Sequence, residues 1–373
     1  MSRLTELIEQ LCPDGVEYKQ LSECVVLPPI PSGLKRNQYE NSGSYPIVDQ
    51  GRGKIAGFTC DETKLVRDVP GIVFGDHTRE IKYIDFFFVP GADGVKWIRA
   101  VDGVSIRYLF HCLTSLSIHS RGYNRHWILV REMLIPVPPL EVQREIVRIL
   151  DQFTALEAEL EAELEARRIQ YEHYRNHLLS YESLAARGQV EMVKLGECIK
   201  LSFGERITKM HDAGTRYPVF GGGGASFMTD SFNRSDEFVI SRFALSEVCV
   251  RFVPGEFWLL DSGITFDVNE SRCVKRYIGQ FLLSRQNEIY RKSAGAAQRN
   301  LKTAEFLSMG VPLPGLSEQR RIADLLDRFD ALVNDISSGL PAEIAARRAQ
   351  YEHYRDRLLS FPEKAGSGGS VAS

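Results

Sequence analysis

Nowhere in this sequence do about 20 apolar residues follow one another, the length a helix needs to cross a membrane. The opening MSRLTELIEQL has no small-residue cleavage site and carries acidic residues within its apolar pattern, unlike a signal peptide. It reads as a short amphipathic helix with Leu4, Leu7, Ile8 and Leu11 on one face. The expected compartment is the cytoplasm. Clustered cysteine is missing too. Cys12, Cys24, Cys60, Cys112, Cys198, Cys249 and Cys273 include no C-x-x-C pair, and their number is odd. A structural zinc or a disulfide framework needs clustered spacing, so scattered, reduced, mostly buried thiols and no metal site are expected.

Enzyme signatures are equally scarce. There is no G-x-x-x-x-G-K-[ST] loop to cradle a nucleoside triphosphate. Pro13-Asp14 followed by Glu17-x-Lys19 imitates a PD…ExK nuclease. Those groups must reach one metal from separate strands, and two intervening residues are too few; a turn entering a strand fits better. Phe220-Gly221-Gly222-Gly223-Gly224 imitates the glycine loop of a methyltransferase. Such a loop should open a helix, and Ala225-Ser226-Phe227-Met228 has no helical stripe. No D/N-P-P-Y/F tetrapeptide is present, since Pro28-Pro29 and Pro138-Pro139 have the wrong neighbours. A flexible or base-approaching loop is the expectation.

Strong positive charge is the third absence. The formal net charge is −3. The acidity is local: residues 140–181 hold 5 Lys/Arg against 9 Asp/Glu, while 16–137 hold 15 against 13 and 190–310 hold 16 against 14. Two slightly basic blocks permit DNA binding without indicating it.

What the chain does contain is a repeat. ARRIQYEHYRNHLLS from Ala166 and ARRAQYEHYRDRLLS from Ala346 share 12 of 15 positions. PVPPLEVQREIVRILDQFTAL from Pro136 aligns with PLPGLSEQRRIADLLDRFDAL from Pro312, and an insertion around Ser337 to Pro341 accounts for the change of offset. Fainter echoes precede them: VEYKQLSEC at Val16 and VEMVKLGEC at Val190, YPIVDQGRG at Tyr45 and YPVFGGGGA at Tyr217. Elsewhere the blocks diverge. Two similar helices with two divergent blocks imply one scaffold role and two different recognition roles.

The helices follow from periodicity. Ile146, Leu150, Phe153, Leu156, Leu160, Leu164, Tyr171, Tyr174 and Leu178 recur at steps of three, four or seven, one helix face. In the second copy Ile322, Leu325, Phe329, Leu332 and Ile336 form the stripe, with Ser317 the expected N-cap. Gly339 and Pro341 then divide that helix in two. Each stripe is the simplest partner for the other, which gives an antiparallel coiled-coil pair. The blocks between read as mixed α/β, with strands at GIVF (Gly71), YIDFFFV (Tyr83) and EFVISRF (Glu237), and helices near 104–116 and 274–287.

Two polar clusters stand at matching places before the helical segments: Ser120-Arg121-Gly122-Tyr123-Asn124-Arg125-His126 and Gln298-Arg299-Asn300. Arg, Asn and Gln carry the bidentate donors and acceptors that read guanine and adenine edges. A solvated polar loop explains either cluster alone; recurrence favours base contact. The candidate DNA-binding set is Arg52, Lys54, Arg121, Tyr123, Asn124, Arg125, Arg206, Gln298, Arg299 and Asn300. Tyr171, Tyr174, Tyr351 and Tyr354, expected to be exposed at near-identical spacing, are candidates for binding a partner. Arg167-Arg168 and Arg347-Arg348 read as solvated faces or subunit contacts.

The run PPLEVQREIVRILDQFTALEAELEAELEARR from Pro138, the duplicated ARRxQYEHYR and LSEQRRIADLLD from Leu316 resemble the specificity subunit of type I restriction-modification enzymes. The resemblance covers nearly the whole chain. It implies an α+β fold: two mixed α/β target-recognition domains separated by two long antiparallel helices, in a pseudo-twofold tandem duplication. The corresponding boundaries are 1–137 and 185–315 for the recognition domains, 138–184 and 316–361 for the helical regions, and 362–373 for a flexible tail. Each recognition domain would read half of a split site on double-stranded DNA. Two modification subunits would carry S-adenosylmethionine and methylate adenine, and ATP- and Mg-dependent restriction subunits would translocate and cleave. The chain itself would catalyse nothing and hold no cofactor. Because recognition blocks differ widely in such a family, the resemblance says little about which bases are read. Other classes remain: a methyltransferase-like or nuclease enzyme with its own two recognition modules, or a coiled-coil adaptor without DNA contact. One further feature suits a spacer. LEAE at Leu156 and Leu160 and LEAR at Leu164 stand in tandem, each adding about 6 Å of helix, comparable with one or two base pairs.

Overall fold

The computed structural model describes residues 3–92, 94–120, 122–295, 299–334 and 339–364. The chain divides into two compact units: residues 1–160 together with 344–373, and residues 161–343. This division differs from the one read in the sequence, because each helical stretch is shared. One continuous helix, Leu140–Leu178, gives its first half to unit 1 and its second half to unit 2.

In unit 1 a two-stranded ribbon, Tyr18–Gln20 against Leu134–Pro136, closes the recognition block. Within it a four-stranded sheet has Gly71–Gly75 between Val95–Ala100 and Ile81–Ile84, with Val25–Val26 at the edge. A second sheet joins Gly57–Thr59, Tyr45–Val48 and Val89–Pro90. The strand Gly71–Gly75 is apolar throughout because both its faces are covered. Successive side chains point to opposite faces: Ile72 and Phe74 join the core under the helix Ile106–Ser115, while Val73 joins Val48, Phe88 and Trp97. Unit 2 repeats the plan. Val190–Lys194 pairs with Gly310–Pro314, and in a six-stranded sheet Arg234–Ser241 sends Phe238 and Ile240 to one core and Val239 to another.

The two copies also share a set of side-chain bonds. Gln143 and Gln319 are both 0% exposed. Gln143 donates to the carbonyls of Gly103 (3.0 Å) and Pro138 (2.7 Å) and accepts from the Ser105 N–H (2.8 Å). Gln319 donates to Arg272 (2.9 Å) and Pro314 (2.8 Å) and accepts from Val274 (2.8 Å). Each thereby satisfies the carbonyl of a buried proline, which would otherwise be left unpaired, and ties two further backbone groups of the same loop to the helix. The phenols of Tyr108 and Tyr277 donate to Pro136 and Pro312. His111 lies between Asp151 (3.0 Å) and the Tyr351 hydroxyl (3.2 Å); Gln280 occupies the same place in unit 2, donating to Asp327 (3.1 Å) and accepting from Tyr171 (3.3 Å). Burial lowers the pKa of His111, against the opposing pull of Asp151.

In unit 1 the long helix is flanked by a second helix running the other way, since Phe153 stacks on Tyr354 and Glu157 pairs with Arg348 at 2.5 Å. That partner is Gly339–Leu358, whose first residue, Gly339, has φ +70°; Ile336 and the rest of 335–338, between it and Leu316–Asn334, lie outside the described residues. The expected stripe needs two corrections. Ser317 lies inside the first turn of its helix, where the Glu318 and Gln319 amides bond to Gly315 instead. Leu326, at 0% exposed, is the deep residue in place of half-buried Leu325. Residues after the helix complete unit 1: Val16 exchanges backbone bonds with Pro362 and Lys364 at 2.9 Å, and Phe361 packs in the core with Leu4. The rest of the expected tail, from 365 onward, lies outside the described residues.

Candidate nucleic-acid interface

Each recognition block exposes loops at the end of its central strand, and the backbone bonds that hold them match between units. After Gly71–Gly75 the Asp76 amide donates to Gly94 (2.7 Å), and the Asp76 carbonyl accepts from His126 (2.9 Å). After Arg234–Ser241 the Arg242 amide donates to Ser262 (2.9 Å), and its carbonyl accepts from Leu301 (2.9 Å). Asp76-His77 and Arg242-Phe243 thus occupy equivalent places.

The glycine-containing loops beside them are fastened alike. Lys82, facing Val73 across the sheet, donates its ammonium to the carbonyls of Asp49 (2.7 Å) and Gly53 (2.6 Å). Arg251, facing Val239, donates to Gly222 (2.8 Å) and Gly223. Burial lowers the pKa of both cations. In each copy a different residue thus holds the loop by its carbonyls. The loop Gly221–Gly224 joins two antiparallel strands, Tyr217–Phe220 and Ala225–Thr229, so no helix N-terminus stands behind it as a dinucleotide or methyl-donor loop would require.

In unit 1, Arg52 and Lys54 are exposed and line one groove with Arg107 and Asp151. Lys54 lies 3.7 Å from Asp85 and over the Phe86 ring. Tyr123 is 80% exposed, stacked on the His77 imidazole at 4.4 Å and 9°, and Asn124 and Arg125 beside it are exposed. In unit 2, Arg206 and Asn300 are exposed. Arg299 is half-buried: it donates to the Tyr290 carbonyl at 2.9 Å and stacks on that ring at 4.6 Å, which fastens its own loop. Arg121 and Gln298 lie outside the described residues. The loop ends therefore gather Tyr123, Asn124 and Arg125 near His77, and Arg299 and Asn300 near Arg242, whereas Arg52 and Lys54 belong to the groove. No signal in the sequence marks His77, Lys82, Arg242, Phe243 or Arg251, because none belongs to a motif.

The tyrosines require a correction. Tyr171 is 4% exposed, held by Gln280 and by Phe329, and burial raises its pKa. Tyr351 is half-buried against His111. The repeat spacing predicts both at the surface. Both instead pack inward, where their hydroxyls pair with the helix of the adjoining recognition block. Tyr174 and Tyr354 do reach the surface, at 44% and 38% exposed.

Among the described residues, no group of His, Cys, Asp or Glu is placed to hold a metal ion, and no helix is long and apolar enough to cross a membrane. All seven cysteines are free thiols, with only Cys60 exposed.

The family model of the type I restriction modification DNA specificity domain matches this chain twice, at residues 15–166 and 188–346. The chain is 30% identical over 411 aligned positions to the type I restriction enzyme EcoR124I/EcoR124II specificity subunit of Escherichia coli, covering 97% of this chain and 98% of that one. A crystal structure of a type I restriction-modification S subunit from M. genitalium superposes with a TM-score of 0.59 at 15% identity, over 92% of this chain and 96% of that one. A chain described in connection with assembly and conformational transition of the type I R-M system gives 0.52 at 18% identity, over 94% and 98%.

Proposed function

The chain belongs to the type I restriction-modification DNA specificity family, and from that premise we propose that each of its two units reads one half of a split DNA site. The observation that carries this reading is the pairing of loops: matched backbone bonds hold them, and their tips differ in chemistry. One scaffold with two dissimilar tips suits two dissimilar half-sites. Base edges in the major groove present distinct donor and acceptor patterns, which exposed Asn124, Arg125 and Asn300 are equipped to meet. The slight basicity of each block supplies few phosphate contacts, so partner subunits contribute the rest.

We propose those partners as well. The exposed faces of Tyr174 and Tyr354 belong to the same repeated sequence, and two similar surfaces suit two copies of one partner. The partners are two adenine-methylating modification subunits, which bring S-adenosylmethionine, and restriction subunits, which bring ATP and Mg. This chain positions them in the cytoplasm and performs no chemistry. The test is co-expression with a cognate modification subunit, followed by sequencing of methylated genomic sites and native mass spectrometry. A bipartite methylated motif that disappears without this chain, and a complex with two modification subunits per chain, are expected. A continuous motif, or methylation independent of the chain, would overturn the reading.

A further inference from the structure

The two loop tips share one more property: each holds a polar side chain against an aromatic ring, with polar atoms that no described residue satisfies. In unit 1 this is His77. Its Nδ1 is buried and has no partner among the described residues. The Tyr123 ring covers the imidazole. Gly122, just before Tyr123, has φ +69°, and nothing lies within 4 Å of where its Cβ would be. In unit 2 the group is Arg242. Its guanidinium stacks on Phe243 at 4.7 Å and Phe203 at 5.0 Å, and none of its donors bonds to another described residue. Phe243 and Phe203 are 39% and 45% exposed.

Three other cations at these ends are engaged. Lys82, Arg251 and Arg299 donate to backbone carbonyls. Arg242 differs from them in holding a planar fork in place by stacking alone. Stacking limits the rotamers, so less freedom is lost when the fork binds. Two parallel donors on a fixed plane match O6 and N7 of guanine. A buried ring nitrogen with no partner is costly, a cost that a base edge reaching it in the ring plane would relieve.

We infer that the two residues following the matched central strand are the specificity-determining positions of this chain. Unit 1 reads a base with His77, which Tyr123 covers in the free protein. Unit 2 reads a guanine with Arg242, braced by Phe243. Asp76, the counterpart of Arg242, cannot take the same role: it is 2% exposed and its carboxylate accepts from the Trp127 amide at 2.8 Å. The element that reads thus shifts by one residue between the copies, which itself would give unlike half-sites. This inference rests on the bipartite reading proposed above.

The experiment uses the full chain assembled with its modification subunit and reads the methylated motif by sequencing. Arg242→Gln is expected to relax one position of one half-site, with discrimination there falling roughly ten- to hundredfold, while the other half-site keeps its sequence. His77→Phe, which retains the stacking ring, is expected to relax one position of the opposite half-site. Tyr123→Ala removes an exposed side chain that supports no core and should affect the same position as His77→Phe; it decides the question for unit 1 if His77→Phe is insoluble. Arg242→Lys, which keeps the charge and loses the fork, does the same for unit 2. An unchanged motif, with methylation lowered equally on all sites, would overturn the inference and leave the bipartite reading intact. A wild-type complex without a bipartite motif would overturn both.

Discussion

Replacing Gln143 with leucine keeps the volume of a fully buried side chain and removes all of its hydrogen bonds. Two carbonyls, Gly103 and Pro138, and one amide, Ser105, lose their partner. A buried backbone group left unpaired costs about 1–3 kcal/mol. Pro138 is buried and Ser105 half-buried, whereas Gly103 is exposed and its carbonyl can turn to water, so the sum is about 2–4 kcal/mol. Against a typical domain stability of about 5–15 kcal/mol the loss would be plain in urea denaturation of the isolated chain. Gln319→Leu removes the same three bonds from unit 2. The two variants should therefore be destabilised by amounts within about 1 kcal/mol of each other, and the double variant should lose both, since the sites share no partner. If Gln143→Leu unfolds at the wild-type midpoint, or if one variant is severely affected and its counterpart is silent, the idea that these glutamines are equivalent fastenings of a duplicated scaffold fails.

His111 supplies a pH test. Its folded pKa lies below the ordinary 6.5 because burial disfavours the charged ring, so the unfolded chain takes up a proton first as the solution is acidified. Unit 1 should lose stability as pH falls through 6.5 toward the folded pKa, with Asp151 opposing the effect and Arg107 and Arg355 reinforcing it. His111→Gln, copying Gln280, should remove that dependence in melts between about pH 7.5 and 5.5; an unchanged slope would assign it to other groups. The LEAE repeat gives a second test. The division between the compact units falls at Leu160–Glu161, inside that repeat. One extra LEAE after Glu163 adds about 6 Å and turns the helix by about 40° beyond a full turn. The variant's methylated sites should show a non-specific spacer longer by one or two base pairs with both half-sites unaltered, whereas the original spacing in a fully active variant would mean that this helix does not set the distance.

The parts of the fold legible in the sequence were those carried by local periodicity. The long helix, the left-handed backbone at Gly339, the central strands at Gly71 and Glu237 and the absence of a helix after Gly221–Gly224 all follow from patterns within a few residues. What long-range packing decides was not legible. The repeated tyrosines look alike in sequence, yet the first of each pair turns inward, because His111 and Gln280, more than 100 residues away, offer hydrogen-bond partners. The joining of residues 361–364 to Val16 and Tyr18 likewise leaves no local trace. At the candidate site the polar clusters at 120–126 and 298–300 were visible by their recurrence. His77 and Arg242 were not, since each is a lone residue in a divergent block. A comparison of the two blocks anchored on strand ends would have found them as unlike side chains beside one backbone position.

If the two blocks are equivalent readers on interchangeable scaffolds, one can stand in for the other. The ribbons Tyr18–Gln20 with Leu134–Pro136, and Val190–Lys194 with Gly310–Pro314, mark matching seams. Residues 190–313 grafted in place of 16–137 would bring Gln280 against Asp151 and Tyr351, the kinds of partner it has already. The decisive measurement is the methylated motif of a complex built on that chain. The half-site read by unit 2 should occur twice, and the half-site of unit 1 should disappear. Persistence of both original half-sites in an active complex would show that the bases are read elsewhere.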